Sequence, residues 1–284
     1  MLTGISYWSM PDGLAGTCDI ATALQLAKQH QFDALELAIS PGGTLHVDLS
    51  QAECEQIRRE IEDSGVIVET IASGMSWGCN PASHDEGIRR LAIELHEKAL
   101  QRAAWLGCQA MLFVPAIVTS PISPGERVRY DHAYQRAEVA VRRLLETAEK
   151  VGVDLCVENV WNGFLYSPLE LRDFVDSFAS DRLGVYFDAG NLLGYQQYPP
   201  DWIHLLGSRI KRVHVKGYRD QFDFCGSYEF CELDEGDVPL VETIAALCDI
   251  GYDSTIVAEM LPFKEDRLRR TAAALNGLVR QVAA

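Results

Sequence analysis

Four stretches in the second half of the chain decide its fold: Val153–Asn159 (VDLCVEN), Leu183–Asn191 (LGVYFDAGN), Ile210–Lys216 (IKRVHVK) and Ser254–Met260 (STIVAEM). Each is a short run rich in β-branched and apolar residues, and each closes on one polar group able to bind a metal: Glu158, Asp188, His214 and Glu259. Strands covered on both faces read as continuous apolar runs. A charged residue closing such a run is therefore expected where the strand emerges into a site. In a (β/α)₈ barrel that place is the C-terminal face, to which several strand ends contribute catalytic groups.

The rest of the chain keeps the same rhythm. Apolar runs at Leu2–Tyr7, Asp33–Ala38, Val66–Ala72 and Ala110–Val114 predict four earlier strands. Helical spacing predicts helices starting near Thr17 or Asp19, then over Leu49–Asp63 with Ser50 as cap, His84–Leu106 and Tyr130–Val151. The third of these carries Ile88, Leu91, Ala92, Leu95, Ala99 and Ala103 on an apolar stripe. Later helices are predicted over Ser167–Phe178, with Ser167-Pro168 as cap and first turn, Pro200–Leu206, Val238–Ile250 and Glu265–Val282. Eight strand-helix units in 284 residues, against about 250 for a usual barrel, predict an α/β fold. Residues 1–284 are read as one domain, a single (β/α)₈ TIM barrel. An open doubly wound sheet is the alternative, but no GxGxxG follows the first strand and no GxxxxGK[ST] occurs. The segment Lys216–Asp237 is longer than an ordinary connection and starts directly after His214, so it is read as a lid. Asp237 is read as the cap of the helix that follows.

Composition excludes several classes. A net charge of −16 opposes a phosphate-tracking nucleic-acid surface, which needs clustered Lys and Arg. No apolar run approaches the roughly 18 residues of a membrane span, and the opening MLTGISYWSM has no export signal. The eight cysteines are scattered without a CxxC, as expected of reduced thiols in a cytoplasmic protein.

One imidazole and three carboxylates form an oxygen-rich donor set. It suits one hard or borderline divalent ion, Mn²⁺ or Mg²⁺ first, Co²⁺ next and Zn²⁺ last. Such an ion can bind adjacent sugar oxygens, polarise a carbonyl and stabilise the enediolate left when the neighbouring C–H is deprotonated. With Glu158 and Glu259 on opposite sides of the mouth, one carboxylate could remove a proton and the other return it on the opposite face, inverting a stereocentre. Taken singly, a strand-end carboxylate is more often a helix cap or an ion-pair partner. Four in successive strands are a different matter, and His214 is the one histidine of seven in a predicted strand. Glu36 is read as facing the mouth, with an ion pair as the alternative. Lys216 and Arg219 are candidates for a sugar hydroxyl or phosphate, against a solvated loop. Trp8, Trp77 and Trp161 follow the first, third and fifth strands as candidate walls for a sugar, or as packing groups.

The phrases VENVWNGF, GVYFDAGN, RIKRVHVKGY, LDEGDVP and VAEM, in order between Val157 and Met260, resemble the xylose-isomerase-like barrel superfamily of sugar and sugar-phosphate isomerases and epimerases. Within it the chain is most similar to ketose 3-epimerases of the tagatose or psicose and pentulose-5-phosphate types. The resemblance implies a divalent metal held by Glu158, Asp188, His214 and Glu259, with the two glutamates as the acid/base pair. It also implies a small-molecule sugar or sugar-phosphate substrate and a homodimer or homotetramer. The chain departs from the pattern at Asn191, where many relatives carry a substrate-holding His, at Gly217 in place of Asp, and at Phe164 in place of a Glu. An aldose–ketose isomerase or an inosose-type dehydratase would use the same groups. A DNA-repair endonuclease of the superfamily would need several zinc ions and more strand-end histidines, and is disfavoured.

Overall fold

The computed structural model describes residues 1–122, 125–221 and 227–283. Seven parallel strands follow one another: β1 (Leu2–Ser6), β2 (Ala34–Ile39), β3 (Thr70–Ser73), β4 (Ala110–Phe113), β5 (Asp154–Glu158), β6 (Leu183–Asp188) and β7 (Ile210–Val215). The chain then leaves the barrel as an antiparallel hairpin, β8 (Tyr218–Gln221) with β9 (Ser227–Phe230). It returns through β10 (Thr255–Ala258), which pairs with both β7 and β1 and closes an eight-stranded barrel. The helices α1 (Ile20–Gln29), α2 (Gln51–Ser64), α3 (Glu86–Leu106), α4 (Tyr130–Val151), α5 (Pro168–Asp176), α6 (Pro199–Leu206), α7 (Leu240–Asp249) and α8 (Glu265–Ala283) each follow a strand. The expected single (β/α)₈ barrel is the observed one.

Side-chain caps set three of the helix starts. Asp19 accepts from the Thr22 amide, Asp85 from Gly87 and Ile88, and Ser50 forms a reciprocal capping box with Glu53. Ser167 stands at the cap position of α5 and Pro168 opens its first turn, as expected, though the Ser167 side chain makes no cap bond. One expected cap is corrected. Asp237 accepts from the Asp220 amide at 2.9 Å, tying the hairpin down, while α7 starts at Leu240 behind Pro239. The third strand also starts later than expected, at Thr70, because the run from Val66 joins β2 by a single bridge between Ile67 and Ala34.

Side-chain alternation divides each strand between two cores. Outward residues pack against the helices, whereas Ala72, Ala110, Leu112, Cys156 and Tyr186 belong to a separate buried cluster with Ile117 and Val160. The α3 stripe divides in the same way. Ala92, Ala99 and Ala103 are buried, but Ile88 and Leu91 are 40% and 48% exposed at the barrel mouth. The seven described cysteines are free thiols, and Cys225 lies outside the described residues. The part of the expected lid between β8 and β9 lies outside them as well. Among the described residues, no helix is long and apolar enough to cross a membrane.

His96 on α3 is wholly buried, edge-on to Phe113. Nδ1 lies 2.7 Å from the Ala92 carbonyl, which can only accept, so Nδ1 carries the proton and Nε2 accepts from Ser73 Oγ at 3.1 Å. Burial lowers the His96 pKa to about 4. The unfolded chain therefore binds this proton near pH 6.5 while the folded chain refuses it, and stability falls as the pH drops through that window. Between pH 7 and 5 this group should remove roughly 2 kcal/mol of stability. Urea unfolding at the two pH values should show that loss in the native chain and a correspondingly smaller one in His96→Leu. Equal losses in both would show that His96 is not the acid-sensitive group.

Candidate metal centre and active-site cavity

Register brings the polar strand ends together. In the parallel ladders Asp188 sits level with His214, and Glu158 level with Tyr186, two residues below Asp188. His214 is level with Val257, two residues before Glu259. Residues two apart on a strand face the same side, so the stagger of a barrel places these side chains in one bowl at successive heights.

Glu158, Asp188 and His214 converge there, each offering one ligand atom, all within 4.8 Å of one another. His214 Nδ1 lies 3.9 Å from Asp188 Oδ2 and 4.0 Å from Glu158 Oε1. Both His214 Nδ1 and Asp188 Oδ2 are buried; Nδ1 has no hydrogen bond, whereas Oδ2 meets the Lys216 ammonium at 2.8 Å. A buried ring nitrogen without a partner is rare in folded proteins. Aimed at two carboxylates, it forms with them a donor set that fits a divalent cation.

The residues behind the cluster hold it in that attitude. His214 Nε2 lies 2.9 and 3.0 Å from the two oxygens of Glu36, which as a carboxylate only accepts, so Nε2 carries the proton and Nδ1 faces the cluster. Glu36 also accepts from Tyr186 Oη and, at 3.2 Å, from Thr70 Oγ1. A metal-binding histidine almost always donates its other ring N–H in this manner. Asn159 bridges β5 to β6, accepting from the Asp188 amide at 2.9 Å and donating to the Asp188 carbonyl at 2.8 Å. The Asn191 amide donates to Asp188 Oδ1 at 2.9 Å, which leaves Oδ2 turned to the cluster.

Glu259 is placed differently from the expected fourth ligand. Its carboxylate is hydrogen-bonded to Lys216, whose Nζ is also 2.8 Å from Asp188 Oδ2 and 3.2 Å from Asn191 Oδ1. The ammonium thus lies between two of the acids. Gly190 makes room for it, since a Cβ there would strike the Lys216 side chain. The acids respond to opposite environments. Burial, then the charges of Asp188 and Glu259, pushes Glu158 up to about 8. Glu259 is as deeply buried, yet Lys216 and His214 outweigh burial and hold its pKa below the usual carboxylate range. Burial disfavours the His214 cation, but the carboxylates of Glu36, Glu259 and Asp188 together outweigh it and raise the pKa to about 9.

These groups form the floor of a cavity of about 930 Å³ at the C-terminal end of the barrel, lined by Glu158, Asn191, Lys216, Glu259 and Trp161 among others. Trp8 and Trp77 line it as well. Trp161 donates from Nε1 to the Asn191 carbonyl and lies 5.7 Å from the Lys216 ammonium.

Glu36 and Arg219 are found in their alternative roles. Glu36 is an ion-pair partner of His214 and is not at the mouth. Strand β2 continues to Ile39, which leaves Glu36 in mid-strand, 1% exposed and beneath His214. Arg219 stands on the hairpin, donating to the Glu235 carbonyl at 3.1 Å with Glu229 at 4.0 Å, and is not among the cavity-lining residues. The Gly217 departure also has a cause: a Cβ there would collide with the carbonyls of Cys231 and Glu232, where the hairpin folds back on its own base. Sequence reasoning missed Asn159, Thr70 and Tyr186. A usable signal was present at Glu36 itself, because a carboxylate inside the apolar run ALELAI must find buried partners.

A family model described as Xylose isomerase-like TIM barrel matches residues 24–278. An uncharacterised protein of Methanocaldococcus jannaschii is 25% identical over 248 residues, 84% of this chain and 78% of its own. The D-psicose 3-epimerase of Ruminiclostridium cellulolyticum is 26% identical over 232 residues, 80% of this chain and 73% of its own. The crystal structure of D-psicose 3-epimerase with D-tagatose from Clostridium cellulolyticum H10 matches with a TM-score of 0.80 over 99% of both chains at 22% identity, a likeness of fold. With the family model spanning nearly the whole barrel, this chain belongs to the xylose isomerase-like TIM-barrel family.

Proposed function

We propose that the protein is a divalent-metal-dependent epimerase of a keto-sugar, inverting the carbon next to the carbonyl by removal and return of a proton. The observation that carries this reading is the convergence of Glu158, Asp188 and His214 within 4.8 Å, with Glu259 lining the same cavity as Glu158. The name of the Ruminiclostridium relative, D-psicose 3-epimerase, supports C3 of a ketose as the position. Glu158, Asp188 and His214 would hold the metal, with Glu259 beside them as the fourth group. Bound there, Mn²⁺ or Mg²⁺ would polarise the substrate carbonyl and lower the cost of the charge left by proton removal.

The chain's own groups do the rest. Glu158 and Glu259 come from β5 and from the end of β10, on different sides of the mouth, so each can address one face of a bound sugar. Lys216 keeps Glu259 ionised and able to take a proton. Asn191 Nδ2 lies 3.4 Å from Glu158 Oε1 and is placed to steady that carboxylate; as a neutral amide it cannot itself relay a proton. Among the described residues Lys216 is the one cation lining the cavity, and it is already paired with Asp188 and Glu259. This supports a neutral keto-sugar over a sugar phosphate. One cluster of three ligands among the described residues also supports a single metal, unlike the several zinc ions of a nuclease.

Solvent-deuterium exchange tests the reaction. In ²H₂O with Mn²⁺, D-psicose, D-fructose or D-tagatose should gain label at C3 with inverted product. Label passing between C1 and C2 would indicate an isomerase, and loss of water a dehydratase. Glu259→Gln should slow C3 exchange by about 10²–10⁴-fold, the range for losing a general acid–base group; undiminished exchange removes Glu259 from the reaction. Glu36→Gln should weaken Mn²⁺ binding by about 10–100-fold, as other carboxylates behind a ligating histidine do. Isothermal titration calorimetry reads this directly, and native affinity in the variant would leave Glu36 a purely structural group.

A further inference from the structure

The cavity is divided chemically along the halves of the barrel. Among the described residues, the three charged ones that line it, Glu158, Lys216 and Glu259, follow from β5, β7 and β10. The opposite wall, built from β1 to β4 and the segments after them, carries Leu14, Trp77, Ile88, Leu91, Leu95 and Ile122. At the rim Leu14 is 68% exposed, Ile122 54%, Leu91 48% and Ile88 40%. Among the described residues, the polar side chains on this wall are Ser40, Ser73 and Cys79, beside the indoles of Trp8 and Trp77; the first three are already engaged. Ser40 donates to the Gly42 carbonyl, Ser73 to His96, and Cys79 to the Ile88 carbonyl at 3.2 Å.

A second sugar unit or a long polyol tail lying on this wall would exchange water for a surface made mostly of apolar side chains, with few polar groups to satisfy its hydroxyls. At about 930 Å³ the cavity is at the upper end of sites for drug-sized ligands, which runs to about 1,000 Å³. A monosaccharide on the floor would leave most of it to water. We infer that the substrate is a keto-sugar carrying an apolar, aryl-sized substituent. The sugar occupies the floor and the substituent lies on the wall formed by Trp77, Ile88, Leu91 and their neighbours. The inference rests on the keto-sugar reading of the floor. The substituent takes no part in bond making: one glutamate takes a proton from the sugar carbon, the other delivers one to the opposite face, and the product is an isomer of the substrate.

A pair of probes that differ only in the aglycone tests the wall without requiring turnover. Phenyl β-D-glucopyranoside and methyl β-D-glucopyranoside would be titrated calorimetrically into the full chain, with and without Mn²⁺. The phenyl compound should bind about tenfold tighter or better, in keeping with burial of much of an aromatic ring. Leu91→Asp, at an exposed position of α3, should erase that preference while the helical circular-dichroism spectrum is unchanged. Equal binding of the two glycosides, or a preference that survives Leu91→Asp, overturns the inference. So does a native chain that associates through this rim, seen as a halving of the sedimenting mass in Leu91→Asp. A phenyl preference without any C3 exchange strikes the reading of the floor alone, whereas exchange into plain ketoses without a phenyl preference strikes this inference alone.

Discussion

The structure depends on keeping several carboxylates buried within a few ångströms of each other at the end of a barrel. Like charges in a low-dielectric setting repel strongly. Here Glu36, Glu158, Asp188 and Glu259 are all 9% exposed or less. Two hydrogen-bond donors make this tolerable. The Lys216 ammonium pairs with Asp188 and Glu259, and His214 Nε2 donates to Glu36 while Nδ1 faces Glu158 and Asp188. Neither reaches every acid, and the remainder appears as the raised pKa of Glu158 and as a buried ring nitrogen without a hydrogen bond. A site whose charges do not balance among its own residues is suited to a further cation.

The scaffold around that cluster is stiffer than the ligands alone would require. Asn159 ties β5 to β6, Glu36 gathers β2, β3, β6 and β7 through Thr70, Tyr186 and His214, and the Glu259 amide bonds to the Val215 carbonyl. The hairpin beyond β7 is clamped in turn. Arg267 of α8 is 4% exposed, and its guanidinium meets Glu232 and the Leu261 and Pro262 carbonyls. Positioning of this kind holds the clustered side chains in one geometry.

The two halves of the barrel contribute differently to the cavity. The later strands end in charged groups and the earlier ones in small or apolar residues such as Ile39, Ser73 and Val114. The charged side chains and the exposed aliphatic ones therefore lie on opposite walls. This explains why Ile88 and Leu91 keep helical spacing with the buried alanines of α3 yet stay exposed: they belong to the mouth and not to the helix–barrel core.

The barrel, its strand order and the polar groups at the ends of β5, β6 and β7 were legible in the sequence. A strand buried on both faces must be apolar until it emerges, and this local rule leaves a mark at Glu158, Asp188 and His214. Helix starts at Asp19, Ser50 and Asp85 were legible for the same reason, since a cap acts within a few residues. What only the tertiary structure decided involves partners far apart in the chain. Glu36 bonds His214 across 178 residues. Lys216 draws Glu259 from across 43, and Asp237 holds Asp220 in place of a helix end. Whether a charged side chain faces solvent, a metal or another side chain depends on barrel stagger and on which opposite charge is nearest. Neither quantity is written in the spacing of residues along one strand.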